Sequence, residues 1–176
     1  MQERWLLELI RGEDMIARII KEHAPYLEAP EGLNKEAILW AVYGCEHYTK
    51  KFFFPRFEPA YAPGGLYYKN SEMVREQYAK WGRTAACSYS NFQILYITAV
   101  ELGYTGPPLG LDRDSLAIPY VVKYINQRIF AKPGRETVEQ VADGYNSGTH
   151  LDRLKPEKYM ARFRRFYDQA IERQNA

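Results

Sequence analysis

Cysteine is scarce in this 176-residue chain, which carries only Cys45 and Cys87. Two cysteines are too few for a disulfide scaffold. There is no C-x-x-C pair, and the histidines stand apart as His23, His47 and His150. A zinc site is therefore not expected, and no metal or cofactor is assigned. No apolar run reaches the roughly eighteen residues of a membrane-spanning helix. An excess of one charge is also missing: 24 basic residues face 22 acidic ones, for a net charge of +2. That balance argues against a nucleic-acid partner drawn in by long-range attraction. No Walker A sequence, dinucleotide fingerprint or G-x-S-x-G elbow occurs, which removes the commonest nucleotide-binding and serine-hydrolase readings. The start, MQERWLLELIRGED, is amphipathic and carries acids early. It lacks the basic head, apolar middle and small-residue cleavage site of a secretory signal. Export, if needed, is then handled elsewhere or directed by a signal already removed.

What is present fits one soluble domain with a single core. Hydrophobic residues make up 46% of the chain, enough to build that core, and charged residues 26%. Tyrosine is abundant, with 15 residues beside 8 Phe and 3 Trp. Tyrosines can stack on sugar faces while hydrogen-bonding hydroxyls, although core packing accounts for most of them. The one basic cluster, Arg162, Arg164 and Arg165, reads as a solvated helix face.

The pattern is helical almost throughout, and the expected class is all-α or mainly α, in one domain over residues 1–176. Residues 3–22 carry Leu6, Leu7, Ile10, Met15, Ile16, Ile19 and Ile20 at helical spacing. Residues 1–33 are read as this helix and a loop, and 34–170 as the functional region. Asn34 is placed to cap a helix from Lys35 to about Glu46. Prolines and glycines make 51–71 a loop with at most one short extended piece. A short polar helix is expected over 72–81, ending near Gly82, and another from Asn91 to Leu102. A long helix should run to about Phe130, starting or kinking at Pro119. Thr137-Val138-Glu139-Gln140 is a capping-box pattern opening a helix to Tyr145. The last helix begins near Pro156 with the stripe Tyr159, Phe163, Phe166, Tyr167 and Ala170.

Three segments carry possible chemistry. Glu46 falls four residues after Val42 and seven after Leu39, on their apolar face. Burial and the negative end of the helix dipole both raise the pKa of such a carboxyl, as a general acid at neutral pH requires. A salt-bridged glutamate at the helix edge is the plainer reading of the same position. Second, Ser88-Tyr89-Ser90-Asn91-Phe92-Gln93-Ile94 offers hydroxyls and an amide to a substrate, or simply an N-cap at Ser90. Third, Gly144-Tyr145-Asn146-Ser147-Gly148 ends a helix whose stripe is Val138, Val141 and Ala142, so the Tyr145 hydroxyl should point inward. It could equally be a C-cap with a buried tyrosine.

Taken in order, the three resemble the lytic transglycosylase family, including its goose-type-lysozyme-like and phage-type members. That family shows a glutamate at a helix end, a serine-x-glycine-leucine-methionine-glutamine segment, then tyrosine-asparagine-alanine-glycine. Arg56-Phe57-Glu58-Pro59-Ala60-Tyr61 is similar to the arginine-aromatic-glutamate-proline stretch of phage-type members, and Ala99 to Tyr104 to the segment after the glutamine. This chain departs in having His47 where the family has serine or threonine, and Ser90 and Asn91 for its glycine and leucine. The resemblance implies a lysozyme-like fold with a cleft between helices. It also implies action on peptidoglycan glycan strands at the cell wall, periplasmic, extracellular or phage-delivered. Glu46 would be the catalytic acid and base, and Tyr145 would orient it through a hydrogen bond. Ser88, Tyr89, Gln93, Asn146 and Glu58 would line the sugar site.

Two alternatives stay open. A hydrolytic muramidase on the same fold would need a second acid to position water, with Glu58 the candidate unless it is ion-paired to Arg56. A wall-binding or phage structural module would keep the fold with a dead site. The implied fold brings the segments after Cys45 and Cys87 together, so a bridge between them is conceivable, with two buried free thiols the preferred expectation.

Overall fold

The computed structural model describes residues 14–49, 55–134, 136–146 and 156–175. Within them the protein is mainly helical, with one small antiparallel sheet. Helix α1 spans 14–23 and turns at Ala24–Tyr26. Ile16, Ile19 and Ile20 are buried, while Met15 is exposed; the stretch expected to be helical before residue 14 lies outside the described residues.

Helix α2, Lys35–Thr49, is the centre of the molecule. Asn34 caps it as expected, its Oδ1 accepting from the Ala37 N–H at 2.9 Å. Ala37, Ile38, Leu39, Ala41, Val42 and Cys45 are all fully buried, because α2 is covered by neighbours on more than one side. Its most extensive pairing is with α8, Pro156–Asn175. The two run antiparallel. The Asn34 N–H donates to the Tyr167 hydroxyl and Asn34 Nδ2 to Gln174 Oε1 at one end, while Glu46 meets Tyr159 at the other. The expected α8 stripe faces inward, with Tyr159, Phe163, Tyr167 and Ala170 buried and Phe166 half-buried. Gly44 permits the approach: a Cβ there would sit 2.5 Å from the Phe166 ring.

Helix α7, Val138–Asn146, packs on α8 through Val138, Val141, Ala142 and Tyr145. Its start is the reciprocal box read in the sequence. Thr137 Oγ1 accepts from the Gln140 N–H at 3.3 Å, and Gln140 Oε1 accepts from the Thr137 N–H at 2.9 Å. Thr137→Ala should therefore lower stability by about 1 kcal/mol, measured as a shift in urea midpoint. An unchanged midpoint would show that the box contributes nothing.

The middle of the chain departs most from expectation. The loop region holds strand β1, Arg56–Phe57, a turn at Pro59–Tyr61 and a short helix α3, Leu66–Asn70. Helix α4, Glu72–Trp81, is capped by Ser71 and ends at Gly82 with φ +60°. The helix expected from Asn91 is not there. Residues 87–95 instead form a hairpin, β2 (Cys87–Tyr89) and β3 (Ile94–Leu95), and helix α5 spans only Tyr96–Glu101. Ser90 and Gln93 take φ of +64° and +51° at the hairpin turn, so Ser90 is a turn residue and not an N-cap. The sheet order is β1-β2-β3, with Arg56 opposite Ser88 and Ser88 opposite Leu95. Helix α6, Asp114–Tyr124, continues as a π-helical turn to Phe130. It begins before Pro119, which lies inside it and leaves the carbonyl four residues back without its helical donor. No helix of the described residues is long and apolar enough to cross a membrane.

Candidate functional site

Near the C-terminal end of α2, Glu46 meets Tyr159 of α8 and lies close to Arg56 and Glu58 of the β1 segment. Its carboxyl is buried with Leu39 and Val42 of the same face. The Tyr159 hydroxyl donates to Glu46 Oε1 at 2.8 Å. Burial raises the Glu46 pKa from its ordinary value and is the dominant influence. The Tyr159 hydrogen bond and the charges of Arg56 and Arg162 pull it back down, and the charge of Glu58 pushes it up. Glu46 thus holds a proton beyond the usual carboxylate range, with a phenol and two guanidinium groups placed to support the anion once that proton leaves.

The expectation that Tyr145 orients Glu46 is corrected. The one proton of its hydroxyl goes to the Phe92 carbonyl at 2.9 Å. Tyr145 is buried, lies edge-on to Tyr124, and is close enough to Glu46 that the carboxylate's charge helps, after burial, to raise its pKa. It fastens α7 to the hairpin beside Glu46, while Tyr159 donates directly to the Glu46 carboxyl. The signal for Tyr159 was a buried phenol in the α8 stripe, a group that requires a partner. Arg162 was also missed. It lies three residues after Tyr159, half-buried with its Nη1 in the interior, and is not part of a solvated face. Its neighbours behave otherwise: Arg164 grips Glu139 with Nε and Nη2 at 2.8 and 2.7 Å, and Arg165 lies over the Phe166 ring.

Strands β1 and β2 form the other wall. Arg56 Nε is 2.7 Å from Glu58 Oε1, and the Ser88 hydroxyl donates to the same oxygen at 3.2 Å. Glu58 and Ser88 are both buried, so Ser88 serves Glu58 and does not face a ligand. Tyr89 is in the core, its hydroxyl donating to the Thr84 carbonyl at 2.6 Å; it is not a sugar platform. Gln93 is buried, and its Nε2 donates to the Ser90 carbonyl at 2.7 Å, closing the hairpin turn. One of its two amide N–H groups is thereby committed to the hairpin backbone. Asn146 is half-buried in the last turn of α7, which runs through it, and Ser147 and Gly148 lie outside the described residues. Cys45 and Cys87 are buried free thiols, without the conceivable bridge. Burial, with help from the Glu46 charge, pushes Cys45 up to about 12, and Cys87 donates to the Arg83 carbonyl.

His47, next to Glu46, points to the solvent side of α2. Its ring stacks on Tyr43 with centroids 5.1 Å apart, and its Nδ1 lies 3.0 Å from Asn91 Oδ1. The three segments thus converge on one region, with Glu46, Tyr159, Arg56 and Arg162 as its electrostatic centre and Tyr145 tying the hairpin to it.

Such an arrangement can give a proton and take one back at one carboxyl. Tyr159→Phe removes an influence that lowers the Glu46 pKa. The acid limb of any proton-transfer activity should then persist to higher pH while turnover falls about tenfold, which a pH-rate profile would read. A profile superimposable on wild type would remove Tyr159 from the site. Comparison with protein-family models, with curated proteins and with solved structures finds no match to this chain.

Proposed function

We propose that the protein cleaves the glycan strands of peptidoglycan as a lytic transglycosylase, with Glu46 as its single acid and base. The observation that carries the reading is the buried Glu46 carboxyl, held by Tyr159, with its pKa raised by burial. The ordered likeness of the Glu46, Ser88–Ile94 and Tyr145–Gly148 segments supplies the substrate class. Protonated Glu46 gives its proton to the oxygen between N-acetylmuramic acid and N-acetylglucosamine, and the C1–O bond breaks. The muramyl acetamido group supports the positive anomeric carbon, an accepted alternative to a second carboxylate. The Glu46 carboxylate then takes the proton of the C6 hydroxyl as that oxygen bonds to C1, leaving a 1,6-anhydro end. Tyr159 orients the carboxyl in this scheme, and Asn146 is retained as a sugar contact.

A hydrolytic muramidase would need Glu58 to position water. Glu58 is already engaged by Arg56 and Ser88, which favours the intramolecular route. Digestion of purified peptidoglycan followed by product mass is the test. Anhydro ends, lighter by one water than hydrolysed ones, are expected. Hydrolysed ends would replace the proposal with a muramidase, and an absence of products would leave a wall-binding or structural module.

A further inference from the structure

On the solvent side of the α2–α8 seam lies a pocket of about 250 Å³ that the Glu46 chemistry does not use. Trp40, Tyr43, Gly44 and His47 line it from α2; Phe166, Gln169, Ala170 and Arg173 line it from α8. Both sets have the spacing i, i+3, i+4, i+7, so each is one continuous helix face. Phe166 packs over Gly44, and Ala170 is the other small residue of the lining. Aromatic residues Trp40, Tyr43 and Phe166 supply most of that lining, with His47, Gln169 and Arg173 as the polar members. The antiparallel pairing puts Arg173 toward the start of α2 and His47 toward its end, separated by about 10 Å of helix.

The ends have defined chemistry. Arg173 forms no ion pair with any described residue, and among the described residues no carboxylate lines the pocket. At the other end the hydrogen-bond chain fixes the imidazole. The Asn91 N–H and Nδ2 both donate to the Asp114 carboxylate, at 2.8 and 2.7 Å. A carboxylate only accepts, so Asn91 presents Oδ1 to His47 and the proton must lie on His47 Nδ1. Neutral His47 is thereby left with Nε2 as an acceptor.

We propose that this pocket binds a flat aromatic carboxylate of one or two fused rings with a hydroxyl at its far end. The rings lie among Trp40, Tyr43 and Phe166, the carboxylate meets Arg173 and Gln169, and the hydroxyl donates to His47 Nε2. The volume is small for a ligand site, below the usual range of about 300–1,000 Å³, which confines the ligand to that size.

The probe is 6-hydroxy-2-naphthoate, titrated calorimetrically into the intact chain. One saturable site is expected, with a Kd in the micromolar range. Arg173→Gln, on an exposed side chain, should weaken binding about tenfold, as should the probe lacking its carboxylate, 2-naphthol. 2-Naphthoate, lacking the hydroxyl, should bind a few-fold more weakly. Ala170→Leu should abolish binding by filling the pocket. Glu46→Gln should bind the probe as wild type does, which separates this site from the proposed glycan chemistry. No saturable binding, equal affinity for 2-naphthol, or an Arg173→Gln protein that binds undiminished would each overturn the proposal.

Discussion

On the proposed function, Glu46→Gln should abolish peptidoglycan cutting, and it should strengthen the fold at neutral pH. The amide keeps the volume and can still accept from Tyr159, but it cannot donate and recover a proton, so the loss should be about three orders of magnitude or more. The stability effect follows from linkage. The folded chain binds the Glu46 proton more tightly than the unfolded chain, because its pKa is raised above the ordinary 4.5. That stabilisation is complete below the unfolded value and is lost as pH rises through the folded one. The variant has nothing to lose over that window. Urea unfolding at pH 4 and pH 7 should therefore show wild type weakening with pH relative to Glu46→Gln. Retained lytic activity would end the assignment. Parallel pH dependences would show that the carboxyl is not strained by its burial.

Arg56→Ala should be among the most destabilising polar substitutions, at about 3 kcal/mol. Among the described residues it leaves buried Glu58 only the Ser88 hydroxyl against its carboxylate, close enough to Glu46 for the two charges to oppose each other. The cost should fall at the lower end of the range for broken buried pairs, because the Arg56 side chain is one-third exposed. Removing both charges, in Arg56→Ala/Glu58→Leu, should recover most of the loss, since the penalty belongs to the unpaired charge and not to the missing contact. Equilibrium unfolding of the two variants decides it. A single variant as stable as wild type, or a double variant no better than the single, would show that an unpaired Glu58 charge is not what the loss of Arg56 costs.

The helix ends and the burial of Glu46 were legible because they are written locally. Thr137 and Gln140 are three residues apart, Asn34 precedes an apolar stripe, and Glu46 shares a face with Val42 and Leu39. The hairpin at Ser90–Gln93 was not legible. Left-handed backbone is normally announced by glycine, and here serine and glutamine adopt it, held by the Ser90 hydroxyl and the Gln93 amide. The exchange of Tyr145 for Tyr159 has a different origin. Both are buried phenols on apolar stripes, and local pattern requires only that each find an acceptor. Which one reaches Glu46 depends on how far α8 slides along α2, and that is set by packing at Gly44 and Phe166 and by the ties at Asn34.

The span between Glu46 and Tyr159 also bears on biosynthesis. The two partners are 113 positions apart in the chain. On a translating ribosome α2 emerges long before α8, so its apolar face and its carboxyl wait uncovered while the hairpin, α6 and α7 are made. Contacts of such long range form late and slowly. The acid of α2 therefore stays uncoupled from its phenol until α8 has docked.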